Sequence, residues 1–322
     1  MRAAWFEKFG EAADALVVGE LETPVAGPGE VLIRLHASGV NPSDVKKRAG
    51  SFPDLLDDGL VIPDSDGAGI IEDVGEGVDA SRVGERVWVY QAQFARRFGT
   101  AAEYVALERS RAVPLPDNVD FEVGACLGIP AMTAHRCVFA DGDVNGQTIV
   151  ITGAAGRVGY YAVQWASQAG ATVIATVSNE EDAAACKAVG AAHVVNHRSD
   201  SFADDILAAN AGARVDRTID LEFGANLATW VAVVKASGTI ATYGSVAVPE
   251  PTLPFFQLMY LDMNIRFIIV YAMPEAAKQQ AIADISRALT NDVLQHRIAA
   301  KFPLEDIAAA NAKKLISLAA RL

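Results

Sequence analysis

The chain has 322 residues, of which 51% are apolar and 21% charged; this excludes a disordered protein and leaves room for about two domains. Aspartate and glutamate outnumber lysine and arginine 40 to 27, for a formal net charge of -13. A field of that sign repels phosphate backbones and argues against a generic nucleic-acid binder, but not against one small phosphate-bearing ligand held in a local positive pocket.

From the N-terminus to Pro114 the chain reads as β-rich. Val31–Leu35 and Arg86–Tyr90 are short strand-like runs, and Gly27-Pro28-Gly29 and Glu76-Gly77 are turn punctuation. The texture changes near Pro114-Leu115-Pro116. From Gln147 onward strands and helices alternate. Thr148–Ile151 is a strand and Gly159–Gln168 a helix; Thr172–Val177 is a strand and Glu180–Ala188 a helix. Val194–Asn196, Arg217–Leu221, Thr239–Thr242 and Ile265–Val270 continue the strands, with helices at Phe202–Ala209 and Asn226–Ala236 between them. Such alternation predicts a doubly wound parallel sheet, so the fold class is α/β. The tail reads as helix Ala276–Leu289, strand Ile298–Phe302 and helix Glu305–Leu318.

Cys126, Cys137 and Cys186 are too few and too scattered for a disulfide framework, and no Cys-x-x-Cys or His-x-x-x-His pair is present. The N-terminal residues lack the apolar run of a signal peptide, and no stretch has the length of a membrane span. The expectation is a soluble, cytoplasmic protein without a metal.

The strongest local motif is Gly153-Ala154-Ala155-Gly156-Arg157-Val158-Gly159, directly after a strand and opening a helix. Small residues there let the chain turn tightly, let backbone approach a pyrophosphate, and let helix pack close to strand. The helix start supplies unpaired N–H groups to the phosphates. The second strand ends in Ser178-Asn179, where an NAD protein tends to carry a carboxylate for the ribose 2′-hydroxyl. Without that repulsion the sequence points to NADPH, with Ser178, His197 and Arg198 as candidate phosphate partners and Lys187 and Arg157 in reserve.

Gly39-Val40-Asn41-Pro42-Ser43-Asp44, Gly67–Gly75, Gly84-Glu85-Arg86-Val87, Gly153–Gly159 and Gly190-Ala191 together resemble the medium-chain dehydrogenase/reductases, most closely the zinc-free quinone oxidoreductases of the zeta-crystallin type. Zinc-dependent relatives carry a cysteine near Asn41-Pro42 and a Gly-His-Glu where this chain has Ser65-Asp66-Gly67. The resemblance implies a GroES-like catalytic domain built from residues 1–117 and 269–322, with a Rossmann NADPH-binding domain of residues 118–268 inserted between them.

It also implies roles. Ala155, Gly156, Arg157 and Val158 would meet the pyrophosphate, and Ser178 and His197 the adenosine phosphate. Asn226, Gly244 and Ser245 would lie in cofactor-contacting loops, and Ile269, Val270 and Tyr271 beside the nicotinamide. Asn41 would donate its amide to the acceptor oxygen, Thr133 would bond the carboxamide, and Tyr271 would donate a proton or line the pocket. Lys46 stands where relatives often place a tyrosine at the cofactor edge. Asp44 is read as a helix cap. The C-terminal Leu315–Leu322 lacks the Gly-Lys and terminal strand of relatives, so one strand is expected to be missing. The implied activity is reduction of a quinone or α,β-unsaturated carbonyl by a homodimer whose edge strands near Ile265–Val270 pair. The alternatives are an enoyl-thioester reductase and an NADPH-binding structural or RNA-binding protein.

Overall fold

The structure, a computed structural model, describes residues 1–312 and, as backbone, 318–321. The chain forms two compact units, one of Met1–Pro130 with Ile282–Leu322 and one of Ala131–Ala281. The divisions, after Pro130 and Ala281, each fall 13 residues beyond the expected positions 117 and 268.

The first unit opens with the antiparallel pair β1 (Arg2–Phe6) and β2 (Leu16–Glu20), joined by the one-turn helix α1 (Ala12–Ala15). Then come β3 (Glu30–Val40), α2 (Pro42–Arg48), β4 (Asp66–Val74), β5 (Arg86–Val89), β6 (Tyr104–Glu108), β7 (Ala112–Pro114) and α3 (Phe121–Gly124). In β3, Val31, Ile33 and Leu35 alternate with more exposed residues, the pattern of an antiparallel strand with one buried face. That face packs on Ile71, Val87, Val105 and Leu107. The long helix α4 (Gly128–Phe139) then leads into the second unit.

The second unit contains β8 (Thr148–Ile151), α5 (Arg157–Gln168), β9 (Thr172–Val177), α6 (Glu180–Ala188), β10 (His193–Asn196), α7 (Phe202–Ala209), β11 (Val215–Asp220), α8 (Phe223–Val233), β12 (Val234–Thr242), α9 (Phe255–Tyr260) and β13 (Asn264–Phe267). Its six strands are all parallel, in the order β10-β9-β8-β11-β12-β13. The order reverses between β8 and β11. Ligands of open α/β sheets bind at such a switch point, beyond the carboxyl ends of the strands. Ile149, Val150 and Ile151 are all buried, as a strand covered on both faces requires.

The chain closes with α10 (Glu275–Thr290), β14 (Ala300–Pro303), α11 (Ile307–Ala312) and β15 (Leu318–Arg321). The expectation of a missing terminal strand is wrong: β15 is present, antiparallel to β3 and parallel to β14. The seven-stranded sheet runs β14-β15-β3-β4-β5-β7, with β6 also on β3. The predicted helix Glu305–Leu318 is accordingly too long. A 3-10 turn at Leu304–Asp306 and α11 account for its start; residues 313–317 lie outside the described residues, and Leu318 is already in β15. The predicted strand Ile265–Val270 also ends early, at Phe267, and Val270–Ala272 form a 3-10 turn.

Candidate cofactor and active site

In the second unit the turn after β8 is built on excluded side chains. Gly153 has φ +55, and a Cβ there would meet Leu221 Cδ2 at 2.1 Å. A Cβ on Gly159 would lie 2.2 Å from the Gly153 carbonyl oxygen, so only glycine lets α5 start so close to the turn. Gly156 is the N-cap of α5 with no side-chain cap, and its N–H donates to Gly153 O at 2.8 Å. The Ala154 N–H donates to Thr176 O, tying the turn to β9. Ala155, Gly156, Arg157 and Val158 are all half-buried at this helix start, so the turn offers backbone and a positive helix end, as a bound diphosphate needs. The residues present fit a dinucleotide.

Ser178 and His197 follow the paired residues Val177 and Asn196 at the ends of β9 and β10, which brings the candidate phosphate partners together. The His197 N–H donates to Val177 O at 3.2 Å, and the Arg198 N–H to Asn196 Oδ1 at 2.9 Å. Partial burial, then the Arg198 charge, lower the His197 pKa below its usual value. Asn179 caps α6 by accepting from the Asp182 N–H, so it holds a helix and not a ribose.

Past β11 and β12, Asp220 organises the loops. Its fully buried carboxylate accepts from Thr152 Oγ1 at 2.8 Å, Asn226 Nδ2 at 2.9 Å and Trp230 Nε1 at 2.7 Å. Gly244 O accepts from the Phe223 N–H at 2.9 Å, and Ser245 Oγ from the Gly224 N–H at 2.9 Å. Glu222 accepts from the Val246 and Ala247 N–H groups. The Asn226, Gly244 and Ser245 loops are therefore fixed to one another through the start of α8. Ile269 is exposed, Val270 buried and Tyr271 half-buried in the turn after β13. Thr133 is buried in α4, not on a helix surface.

The first unit holds Asn41, and here the geometry corrects the sequence reading. Asn41 is the N-cap of α2: its side chain accepts from the Asp44 N–H, while Asp44 Oδ2 accepts from the Asn41 N–H at 2.8 Å. Its amide Nδ2 donates to Asp66 Oδ2 at 2.8 Å and Gly39 O at 3.3 Å. Both amide hydrogens are committed, and none is left for an acceptor oxygen. Lys46 is exposed on α2.

Around Asn41 lies a buried charge cluster that motif reading missed. Asp44, Asp64 and Asp66 are buried with Lys47 as their cation. Lys47 Nζ donates to Gln93 Oε1 at 2.6 Å and Gln93 O at 3.0 Å. Asp66 Oδ2 also accepts from the Ile129 N–H at 2.8 Å, whereas Oδ1 has no partner among the described residues. Burial pushes Asp66 up to about 8, and burial and Asp44 push Asp64 up as well. The signal in sequence is Pro63-Asp64-Ser65-Asp66 entering an apolar strand with no basic neighbour.

Cys126, Cys137 and Cys186 are free and buried, and burial raises the Cys137 thiol to about 12. Among the described residues no group of three or more His, Cys, Asp or Glu side chains is placed to hold a metal ion. No helix among them is long and apolar enough to cross a membrane.

Residues 27–117 match the alcohol dehydrogenase GroES-like domain, and residues 158–287 the zinc-binding dehydrogenase domain. The chain is 30% identical over 319 residues to quinone oxidoreductase of Rattus norvegicus, covering 97% of this chain and 93% of the relative. The chain belongs to the quinone oxidoreductases of the medium-chain dehydrogenase/reductase superfamily. The human quinone oxidoreductase is 29% identical at the same coverage. A mycobacterial protein solved in complex with NADPH superposes with a TM-score of 0.87 and 26% identity over 100% of both chains. In this family the turn Gly153–Gly159 sits where the fold binds dinucleotides.

Proposed function

We propose that the chain is an NADPH-dependent reductase of quinones and α,β-unsaturated carbonyls, active as a cytoplasmic homodimer. The observation that carries this reading is the pairing of the glycine-lined turn at α5 with a β9 end that has Ser178 and Asn179 in place of a ribose-binding carboxylate. When bound, NADPH supplies the hydride. Ala155, Gly156, Arg157 and Val158 hold the diphosphate; Ser178, His197 and Arg198 meet the 2′-phosphate. Asn226, Gly244 and Ser245 line the cofactor through loops fixed by Asp220 and Glu222. The family resemblance supports Thr133, Ile269, Val270 and Tyr271 as the nicotinamide-side residues and Lys46 as a further cofactor contact. Asn41 acts by holding the start of α2 in place and not by polarising the acceptor.

The dimer reading rests on exposed apolar side chains around the edge strand β13 and the neighbouring α9. Tyr260 is 82% exposed, Phe267 71% and Phe256 68%, with Phe255 and Ile269 beside them in sequence. A free strand edge next to such side chains is a surface that a second copy covers.

NADPH oxidation measured in parallel with a quinone, an enone and an enoyl thioester tests the activity. Turnover of the first two, with the thioester much slower, is expected; thioester turnover alone selects the enoyl-thioester alternative. Sub-micromolar RNA binding without NADPH oxidation on any acceptor would replace the enzyme reading altogether.

A further inference from the structure

A second concavity lies wholly within the first unit, about 520 Å³ in volume, and shares no residue with the site proposed above. That volume is in the range of small-ligand pockets. Its walls come from the segment after β2, from residues 60–62, from the loop 96–98 and from β6. Leu21, Val25, Leu60, Ile62, Phe98 and Val105 make the surface largely apolar. Val25 and Phe98 are exposed at 79% and 43%, although both are large hydrophobic side chains.

The polar groups are unequal. Arg96 has its counter-ion in the wall: its Nη2 donates to Ala106 O and lies 3.8 Å from Glu30 Oε1, while Nη1 is buried without a partner among the described residues. Glu30 also accepts from the Gly27 N–H at 3.1 Å, so its charge is answered within the wall. Arg97 is different. Its Nε donates to Leu60 O at 3.0 Å, and its guanidinium carbon lies 5.2 Å from the centroid of the Phe98 ring. These contacts fix the guanidinium, while no hydrogen bond or ion pair engages Nη1 or Nη2 among the described residues. The pair of terminal nitrogens is the edge of arginine that grips a carboxylate with two parallel hydrogen bonds. Gln91 and Ala95 hold left-handed conformations, φ +54 each, in the loop that carries both arginines. Glu22, the other carboxylate of the lining, is exposed and makes no ion pair with Arg97 among the described residues, so Arg97 is the cation of the wall without a counter-ion.

We infer that this pocket of the GroES-like unit binds an apolar monocarboxylate, its carboxylate on Arg97 and its hydrocarbon body on the apolar wall. The inference is independent of the acceptor and cofactor proposed above.

The test titrates decanoate into the full-length protein saturated with NADP⁺, so that the cofactor site is filled. Calorimetry should read a dissociation constant below about 1 mM, with decanol and acetate each at least about ten-fold weaker, since one lacks the charge and the other the hydrocarbon. Arg97→Gln should weaken decanoate at least ten-fold with an unchanged circular dichroism spectrum. If that variant does not fold, Val25→Asp decides in its place, because it sets a carboxylate beside the same wall from an exposed position. No decanoate binding up to about 10 mM, equal binding of decanol, or parental affinity in the deciding variant overturns the assignment.

Discussion

Asp66 is a carboxyl group enclosed by backbone, with two donors on one oxygen and none on the other. With its pKa near 8 in the fold and near 4 when exposed, the folded state holds a proton that the unfolded chain releases. Stability therefore falls as pH rises from about 4 to about 8, by on the order of a few kcal/mol, and is level above that. Asp66→Asn keeps an oxygen for Asn41 Nδ2 and the Ile129 N–H. It is expected to flatten that slope and to raise Tm at pH 8, as read by thermal melts from pH 5 to 9; an unchanged slope contradicts the assignment. His197 gives a dependence in the binding of cofactor. Its imidazole is neutral near pH 7 in the free protein, and a 2′-phosphate dianion favours the protonated form, so binding draws in a proton. The dissociation constant for NADPH should rise between about pH 6 and 8, and His197→Asn should weaken binding and remove most of that rise; fluorescence titration measures both. At this scale the glycine turn and Ser178 were legible in sequence because each follows from spacing along one strand. The commitment of the Asn41 amide was not, since Asp66 lies 25 residues away and only the pairing of β3 with β4 brings them together.

The elements of the second unit follow directly from the sequence, because apolar runs covered on both faces alternate with helices and leave little ambiguity in type. Their ends were less legible. The strand through Ile265 stops at Phe267, before the apolar run ends, because the chain turns into the 3-10 segment at Val270. The closing strand β15 carries no glycine or β-branched signal, only Leu318-Ala319-Ala320-Arg321, and exists through its partners β3 and β14. One ion cluster fixes elements that sequence treats as separate. Asp141, just past α4, binds Arg217 of β11 at 3.0 Å and also Arg266 of β13. The Arg217 side chain is 4% exposed and also donates to Cys137 O. Asp141→Ala leaves that guanidinium buried without its counter-ion and should cost about 3 kcal/mol in urea unfolding. A loss below about 1 kcal/mol would show that water replaces the carboxylate.

As a whole molecule the chain is acidic, yet its candidate phosphate partners His197 and Arg198 stand together after β10, which reconciles the net charge of -13 with an anionic cofactor. The inserted arrangement of the units, suggested by a β-rich start and a helical tail that fit no sequential fold, follows from the return of the chain to the first unit at Ile282. At this scale also belongs the dimer. Tyr260→Asp combined with Phe256→Asp should shift the protein from dimer to monomer in sedimentation, because two buried charges would face each other across a symmetric contact. A parent protein that sediments as a monomer removes the dimer from the account. The most direct test of the central claim is the ratio of kcat/KM for NADPH over NADH with a naphthoquinone as acceptor. Two charge-assisted contacts to the 2′-phosphate predict a ratio of about 100 or more. Equal use of NADH, or no oxidation of either cofactor, would contradict it.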